Sequence, residues 1–491
     1  MGTIKRQGLK NAVFTDLGVA VGFLNLIVLL PFVLSAEQLG LLRIMYSATI
    51  LFGTLYPIGL NFLTIRFFPG IRNEENKHNG YLGFLLLISL SGFLLLSAFV
   101  YFFQSNIISY YQQKSKLFVD YFHYVIPIGF LIGTTTILTG YLNALFKSTV
   151  PTFLNEVFIR VWMTVIALLY YFSIITFSQL MLLYLVSYAV MVFFLLIYLF
   201  KIGSFGLRIH QAFFKTLPWK EIIRYTIVMA LASIASIGIR NIDTMLIGSY
   251  LGLDQVAVYS IAFMIGSIIE TPVNALSKIA DSKISNAIKE NNIDEMRAIY
   301  YKSTRFMTIV GGFLFLMICS NIADGLMLLP EKYHGSQLVV YIVGVSAFTN
   351  MATGLNSSLI NYSSNYIKGT WLLLGVIVLA IVLNLLLIPS IGIYGAAIGT
   401  SVALLFYNLM KYLIIYRKYQ FQPFGSYIFK VIVLVTVLFI AGINFHFFEN
   451  LYLNMVLRSV ALLILFLLLF RLLKIDDTLW NEIKTFRWKA S

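Results

Sequence analysis

Fourteen blocks of apolar sequence, each roughly 18 to 25 residues long, follow one another along this chain of 491 residues. That is the length that carries a helix across the hydrocarbon core of a bilayer. They fall at about 12–34, 44–67, 81–103, 118–142, 152–173, 177–200, 221–249, 255–277, 305–323, 337–361, 370–388, 393–415, 427–445 and 452–473. The expected fold class is therefore all-α: a polytopic membrane protein of about fourteen transmembrane helices. Charged residues make up 11% of the chain, against about 25% in a soluble protein, too few to build a water-facing surface. The longest connections, 202–220 and 277–304, are too short to hold a soluble catalytic domain. Residues 1–11 carry Lys5, Arg6 and Lys10 ahead of an apolar run that reaches Leu34 without a small-residue cleavage site, so this start reads as an uncleaved first span. A single cysteine, Cys319, excludes an internal disulfide and cysteine-based metal sites.

Charge supplies an orientation. With the N-terminus in the cytoplasm, 28 of the 35 Lys and Arg residues fall on cytoplasmic segments and span ends. Only Lys114, Lys116 and Lys332 lie in opposite loops, and Arg43, Arg160, Arg240 and Arg458 lie within spans or, for Arg43, at the edge of one. This is the positive-inside rule, and it puts both termini in the cytoplasm. The net charge of +15 then belongs beside anionic lipid headgroups and needs no nucleic acid partner. The stretch from Ile284 to Tyr300 has helical apolar spacing with charges between and reads as one cytoplasmic amphipathic helix lying on the membrane.

The chain also repeats itself. Gly22-x-x-Asn25 followed by Glu37-Gln38 returns as Gly238-x-x-Asn241 followed by Asp254-Gln255, and Asn143 before Ser148-Thr149 is answered by Asn361 before Ser363-Ser364, at offsets of 216 to 218 residues. Six spans separate the copies, so the halves insert the same way up, as parallel repeats that rock around a site between them. The expected organisation is an N-lobe at 1–201, a cytoplasmic linker at 202–220, a C-lobe at 221–415, and two added spans with a cytoplasmic tail at 416–491.

Ionisable groups inside spans cost several kcal/mol at the bilayer centre and tend to face a cavity or a partner. Glu156 and Arg160 stand four apart in span five, on one helical face, and read first as a neutralising pair. Arg240 and Asp243 stand three apart in span seven, a spacing at which they too can pair, among small and polar residues that suit a cavity-facing helix. Arg43 and Arg66 sit near opposite ends of span two, within snorkelling distance of water. Glu270 precedes Pro272 in span eight with no obvious local partner, Asp16 is shallow in span one, and Arg458 in span fourteen reads as structural or snorkelling. Guanidinium groups lining a cavity attract phosphate and grip it with paired hydrogen bonds. The candidates for substrate binding are Arg43, Arg66, Arg240 and Arg160. Those for ion coupling or gating are Asp243, Glu270, Glu156, Asp16, Glu37 and Asp254. These charges break the repeat: Arg240 faces Leu24 and Arg43 faces Ser260 across the two halves. Lys147-Ser148 lacks the glycine of a phosphate-binding loop, having Phe146 instead, and the five histidines show no metal spacing. No cofactor is expected.

Several segments resemble the bacterial polysaccharide flippase branch of the multidrug/oligosaccharidyl-lipid/polysaccharide exporter superfamily. They are Ile4-Lys-Arg-Gln-Gly8-Leu-Lys-Asn11, Ser35-Ala-Glu-Gln-Leu-Gly40, Gly140-Tyr-Leu-Asn143 with Lys147-Ser-Thr, Arg240-Asn-Ile-Asp243, Leu251-Gly-Leu-Asp-Gln255 with Tyr259, and Asn384 to Pro389 followed by Ile391 to Gly399. The resemblance implies two six-helix lobes across a central cavity, and translocation of an undecaprenyl-diphosphate-linked oligosaccharide to the outer leaflet of the bacterial inner membrane. It also implies that cationic cavity residues engage the pyrophosphate or acidic sugars; by position these are Arg43, Arg66 and Arg240. The partners it implies are that lipid-linked substrate, membrane lipids, a coupling H+ or Na+, and polysaccharide polymerase and glycosyltransferases, with no enzymatic activity of its own. Rivals are a multidrug cation antiporter, which typically places acids in both lobes whereas span ten here has none, and a lipid II flippase.

Overall fold

In the computed structural model, which describes residues 2–73, 77–210 and 217–476, fourteen helices are long and apolar enough to cross a membrane. In chain order they are α1 (Arg6–Val33), α2 (Ala36–Ile71), α3 (Lys77–Phe102), α4 (Lys116–Ala144), α5 (Thr149–Tyr171), α6 (Phe177–Lys201), α7 (Trp219–Tyr250), α8 (Leu253–Ser277), α9 (Ile293–Met327), α10 (Glu331–Ala352), α11 (Tyr366–Ile391), α12 (Ile393–Tyr419), α13 (Ser426–Ile443) and α14 (Leu451–Leu472). No strand occurs among the described residues. The all-α membrane architecture and the number of spans read from the sequence are both found. Residues 211–216 of the expected linker and 477–491 of the expected tail lie outside the described residues.

The chain divides into two compact units, Met1–Ala257 and Val258–Ser491. The first holds α1 to α7. Its core gathers Phe68, Tyr81, Leu138 and Tyr141 from α2, α3 and α4. Within this unit α7 lies along α2: a Cβ on Gly248 would strike Ile44, the Ser47 hydroxyl donates to Asn241 Oδ1 at 3.1 Å, and Arg66 meets Glu221 at 3.5 Å. Helix α2 breaks between them, over residues 56–59. Gly59 ends the break at φ +72°, where an added Cβ would lie 2.9 Å from the Thr226 carbonyl oxygen on α7. Both the left-handed backbone and the close approach require glycine there.

The second unit packs α13 and α14 on α9 through Leu316, Val431, Leu434, Leu462 and Phe466. It also corrects the expectation for residues 284–300. Helix Thr271–Lys289 continues α8, the backbone turns at Asn291 with φ +50°, and α9 starts at Ile293. The apolar positions Ile284, Ala287, Met296 and Tyr300 do not lie on lipid but pack with Leu355, Leu359 and Ile415. The periodicity was real, but two helix ends on either side of a turn share it, and tertiary burial takes the face that a membrane surface was expected to take. Asn292 caps the second helix by accepting from the Glu295 N–H at 3.1 Å. Asn292→Ala is expected to lower stability by about 1 kcal/mol, the usual cost of a lost N-cap. Thermal unfolding in detergent micelles checks this, and an unchanged midpoint would show the turn to be held by packing alone.

Candidate functional site

Helices α1 and α5 both depart from α-helical winding where they meet. Each contains a π-helical turn, over Leu24–Leu29 in α1 and Leu154–Phe158 in α5. Such turns concentrate at functional positions because they widen the helix and free backbone carbonyls. Across this junction Arg160 bonds Glu156 with Nη1 to Oε2 at 2.7 Å, and the same nitrogen donates to the Glu156 carbonyl at 2.8 Å. The intrahelical pairing read from the spacing is therefore formed, and both side chains are about a third exposed. Gly18 and Gly22 on α1 make room for it: a Cβ on Gly18 would overlap Arg160 Nη1 and the Glu156 carbonyl, and one on Gly22 would lie 3.0 Å from Arg160 Nε. Asn25 closes the junction. Its amide nitrogen donates to the Arg160 carbonyl at 2.8 Å, and its Oδ1 accepts from Thr164 at 2.8 Å.

Arg43 stands elsewhere in the same unit and differs from its expected place. Helix α2 begins at Ala36, after a Ser35–Gln38 capping box, so Arg43 lies two turns inside the helix and not at the edge of a span. The apolar run signals only the hydrophobic part of a helix, and the polar first turns of α2 escape that criterion. Its guanidinium sits over the Tyr46 ring at 5.8 Å, within electrostatic reach of Tyr184 on α6. The Tyr184 and Tyr188 hydroxyls are 3.4 Å apart. Among the described residues no acid pairs with Arg43, and its Nε is buried without a hydrogen-bond partner. The three tyrosines are functional candidates that sequence reasoning passed over, because tyrosine in a membrane protein reads first as interfacial belt. The recurrence of Tyr184 and Tyr188 one turn apart on α6 was the available signal.

The remaining candidates separate. Arg240 is exposed and makes no hydrogen bond or ion pair among the described residues, whereas Asp243 is buried and engaged. The pairing considered for these two is not formed. Arg66, half exposed, pairs with Glu221 and covers the Tyr225 ring at 4.3 Å. Asp16 is exposed on α1. Glu37 and Asp254, which answer each other in the repeat, are exposed in the first turns of α2 and α8, where a carboxylate complements the helix dipole. Glu270 does have a partner: Asn350 on α10 donates to it at 2.9 Å. Arg458 is structural, buried against Asp324 at 2.9 Å. Among the described residues no group of three or more His, Cys, Asp or Glu is placed to hold a metal ion.

Comparison with known proteins places this geometry. Solved structures of similar fold include an inward-facing multidrug resistance MATE family transporter of the MOP superfamily, at TM-score 0.64 and 15% identity, covering 83% of this chain and 94% of that one. The lipid II flippase MurJ in an inward closed conformation gives TM-score 0.64 and 15% identity over 94% of this chain and 99% of that one. A MOP superfamily transporter from Pyrococcus furiosus, described as having reversed polarity in its binding pocket, gives TM-score 0.60 and 15% identity over 85% and 96%. No curated protein sequence matches the chain. The MatE family matches residues 228–389, and the family described as polysaccharide biosynthesis protein matches residues 11–280. The fold is shared with the MATE and MurJ structures, and a match over more than half of the chain makes this multi-pass membrane protein a member of the polysaccharide biosynthesis protein family.

Proposed function

We propose that this transporter flips an undecaprenyl-diphosphate-linked oligosaccharide, the repeat unit of a surface polysaccharide, from the cytoplasmic to the outer leaflet of the bacterial inner membrane. Both termini lie in the cytoplasm, and the repeat-defined lobes 1–201 and 221–415 alternate access to a central cavity, driven by an ion. The observation that carries this reading is Arg43, an arginine inside α2 with no acid partner among the described residues, set among Tyr46, Tyr184 and Tyr188. A guanidinium free of carboxylates offers its fork of donors to a pyrophosphate, and tyrosines offer both stacking faces and hydroxyls to a sugar. Arg240, exposed and unpaired, is the second cation. The Arg160–Glu156 pair supports the α1–α5 junction, and Arg66 works at the helix end in an exposed pair, which contributes little on its own.

The test is a deletion strain carrying variants, with lipid-linked intermediates analysed by leaflet. Deletion traps intact oligosaccharide-lipid on the cytoplasmic side, which separates a flippase from a polymerase and from a drug exporter. Arg43→Ala is expected to reduce surface polysaccharide roughly 10- to 100-fold, the equivalent of losing charged hydrogen bonds of about 1.5–3 kcal/mol. Arg43→Lys, which keeps the charge without the fork, is expected to fall between. Arg240→Ala is expected to abolish export while the protein stays folded in the membrane, and wild-type polysaccharide in that variant would remove Arg240 from the site.

A further inference from the structure

A second set of polar groups is buried in the Val258–Ser491 unit, at positions that hydropathy and charge do not single out. Lys411 on α12 is 3% exposed, yet its ammonium forms no ion pair among the described residues. It donates to the Ser357 hydroxyl at 3.1 Å and covers the Tyr407 ring at 4.4 Å. The Glu270 carboxylate acts on it through space and is itself held by Asn350. Next to Ser357, on the short helix Asn356–Tyr362, Asn356 is fully buried, and its Oδ1 has no partner among the described residues. The Tyr300 side chain approaches it from α9. Thr304 Oγ1 and Asn408 Oδ1 are likewise buried and unpartnered among the described residues. Asn408 lies one turn before Lys411 on α12, on the same helical face.

So many buried donors and acceptors without protein partners require water, and a mixed set of both suits water better than an anion. An ammonium buried among them without a carboxylate in contact is costly. We propose that these residues form a hydrated proton chamber, and that Lys411 is the coupling group of this transporter, taking up and releasing the driving proton opposite Glu270. The protonated ammonium neutralises Glu270 and grips Ser357. On release the proton passes to chamber water, the amine is neutral, and Glu270 stands uncompensated, which changes the force between α12, α8 and the short helix. Because the cation beside Glu270 is already part of the chain, this carboxylate is not open to sodium, and the ion taken up at this site is H+. Among the described residues Glu270 from α8 is the charged group acting on Lys411, α12 itself contributes Tyr407, and α10 and the short helix present Asn350, Asn356 and Ser357.

This inference rests on the transporter reading but not on its substrate, so the primary measurement uses none. The full-length protein in liposomes is followed by hydrogen–deuterium exchange in peptides covering 356–362 and 404–415, from pH 6 to pH 9, with exchange corrected for its intrinsic pH dependence and with sodium present or replaced by choline. The wild type is expected to change protection with pH and to ignore sodium. Lys411→Met is expected to lose the pH response and Glu270→Gln to shift it. Should Lys411→Met fail to fold, Lys411→Arg, which keeps the charge and does not release it, is expected to hold the protonated pattern at every pH. A sodium-dependent change, or a pH response that survives in the Lys411 variants, overturns the proposal. Oligosaccharide-lipid flipping assayed in the same vesicles reports separately: its absence in the wild type, with the pH response intact, counts against the substrate and not the chamber.

Discussion

Arg458→Met is expected to leave little folded protein, the largest stability effect of any single substitution considered. Arg458 is 1% exposed in α14, and every arm of its guanidinium is engaged. Nη1 meets Asp324 Oδ2 at 2.9 Å and the Ser320 carbonyl at 3.0 Å, while Nε and Nη2 both donate to the Phe445 carbonyl at 3.0 and 2.9 Å. Asn454 adds a 2.8 Å bond to the same Asp324 oxygen and accepts from the Phe447 N–H at 2.9 Å. One cluster thus ties α9, α14 and the loop between α13 and α14. Methionine fills much of the volume but strands the buried Asp324 carboxylate, and breaking a buried pair in this way costs about 3–5 kcal/mol. A domain's whole stability is about 5–15 kcal/mol. Thermal unfolding and size-exclusion profiles in detergent check the loss. The double variant Arg458→Met with Asp324→Leu is expected to recover much of it, because removing both charges removes the stranded one. Equal instability of single and double variants would show that the carbonyl bonds, not the ion pair, dominate.

The second large effect is expected at Gly18. Valine there requires α1 to move off α5, since the first added carbon already overlaps Arg160 Nη1 and the Glu156 carbonyl. A backbone carbonyl does not rotate away as a side-chain end does. Overpacking of this kind costs about 1–3 kcal/mol, and the Asn25 bonds to Arg160 and Thr164 are expected to break with it. Gly18→Val should therefore abolish polysaccharide export even where the protein reaches the membrane. Gly8→Val, at a glycine of the same helix with nothing within 4 Å, should leave export near wild type. Active Gly18→Val protein would mean that the α1–α5 junction is dispensable for transport.

The fourteen spans were legible because hydrophobic length is a property of the segment alone, whatever its neighbours. The Glu156–Arg160 pair was legible for the same reason, since its geometry is internal to one helix. What escaped the sequence depends on tertiary partners. Asp324 fell just beyond its expected span at 305–323, because the polar end of α9 does not look like membrane, so the acid that Arg458 requires was missed. Lys411 counted as one more cytoplasmic cation at the end of span twelve; only the short helix carrying Asn356 and Ser357 reveals that it is covered. Arg240 and Asp243 looked like a pair at spacing three, yet Arg240 is exposed and Asp243 buried.

The two π-helical turns have a consequence for every face along α1 and α5. A π-turn holds one residue more than an α-turn, and one residue of an α-helix is about 100° of rotation. The segment of α1 beyond Leu29 is therefore out of phase by that angle with the segment before Leu24, and the same offset follows Phe158 in α5. A helical wheel drawn straight through either span assigns its far half to the wrong side. Cysteine-scanning or lipid-accessibility profiles should show this as a break in periodicity at the two bulges, the pattern restarting a quarter-turn late in both helices at the level where they touch.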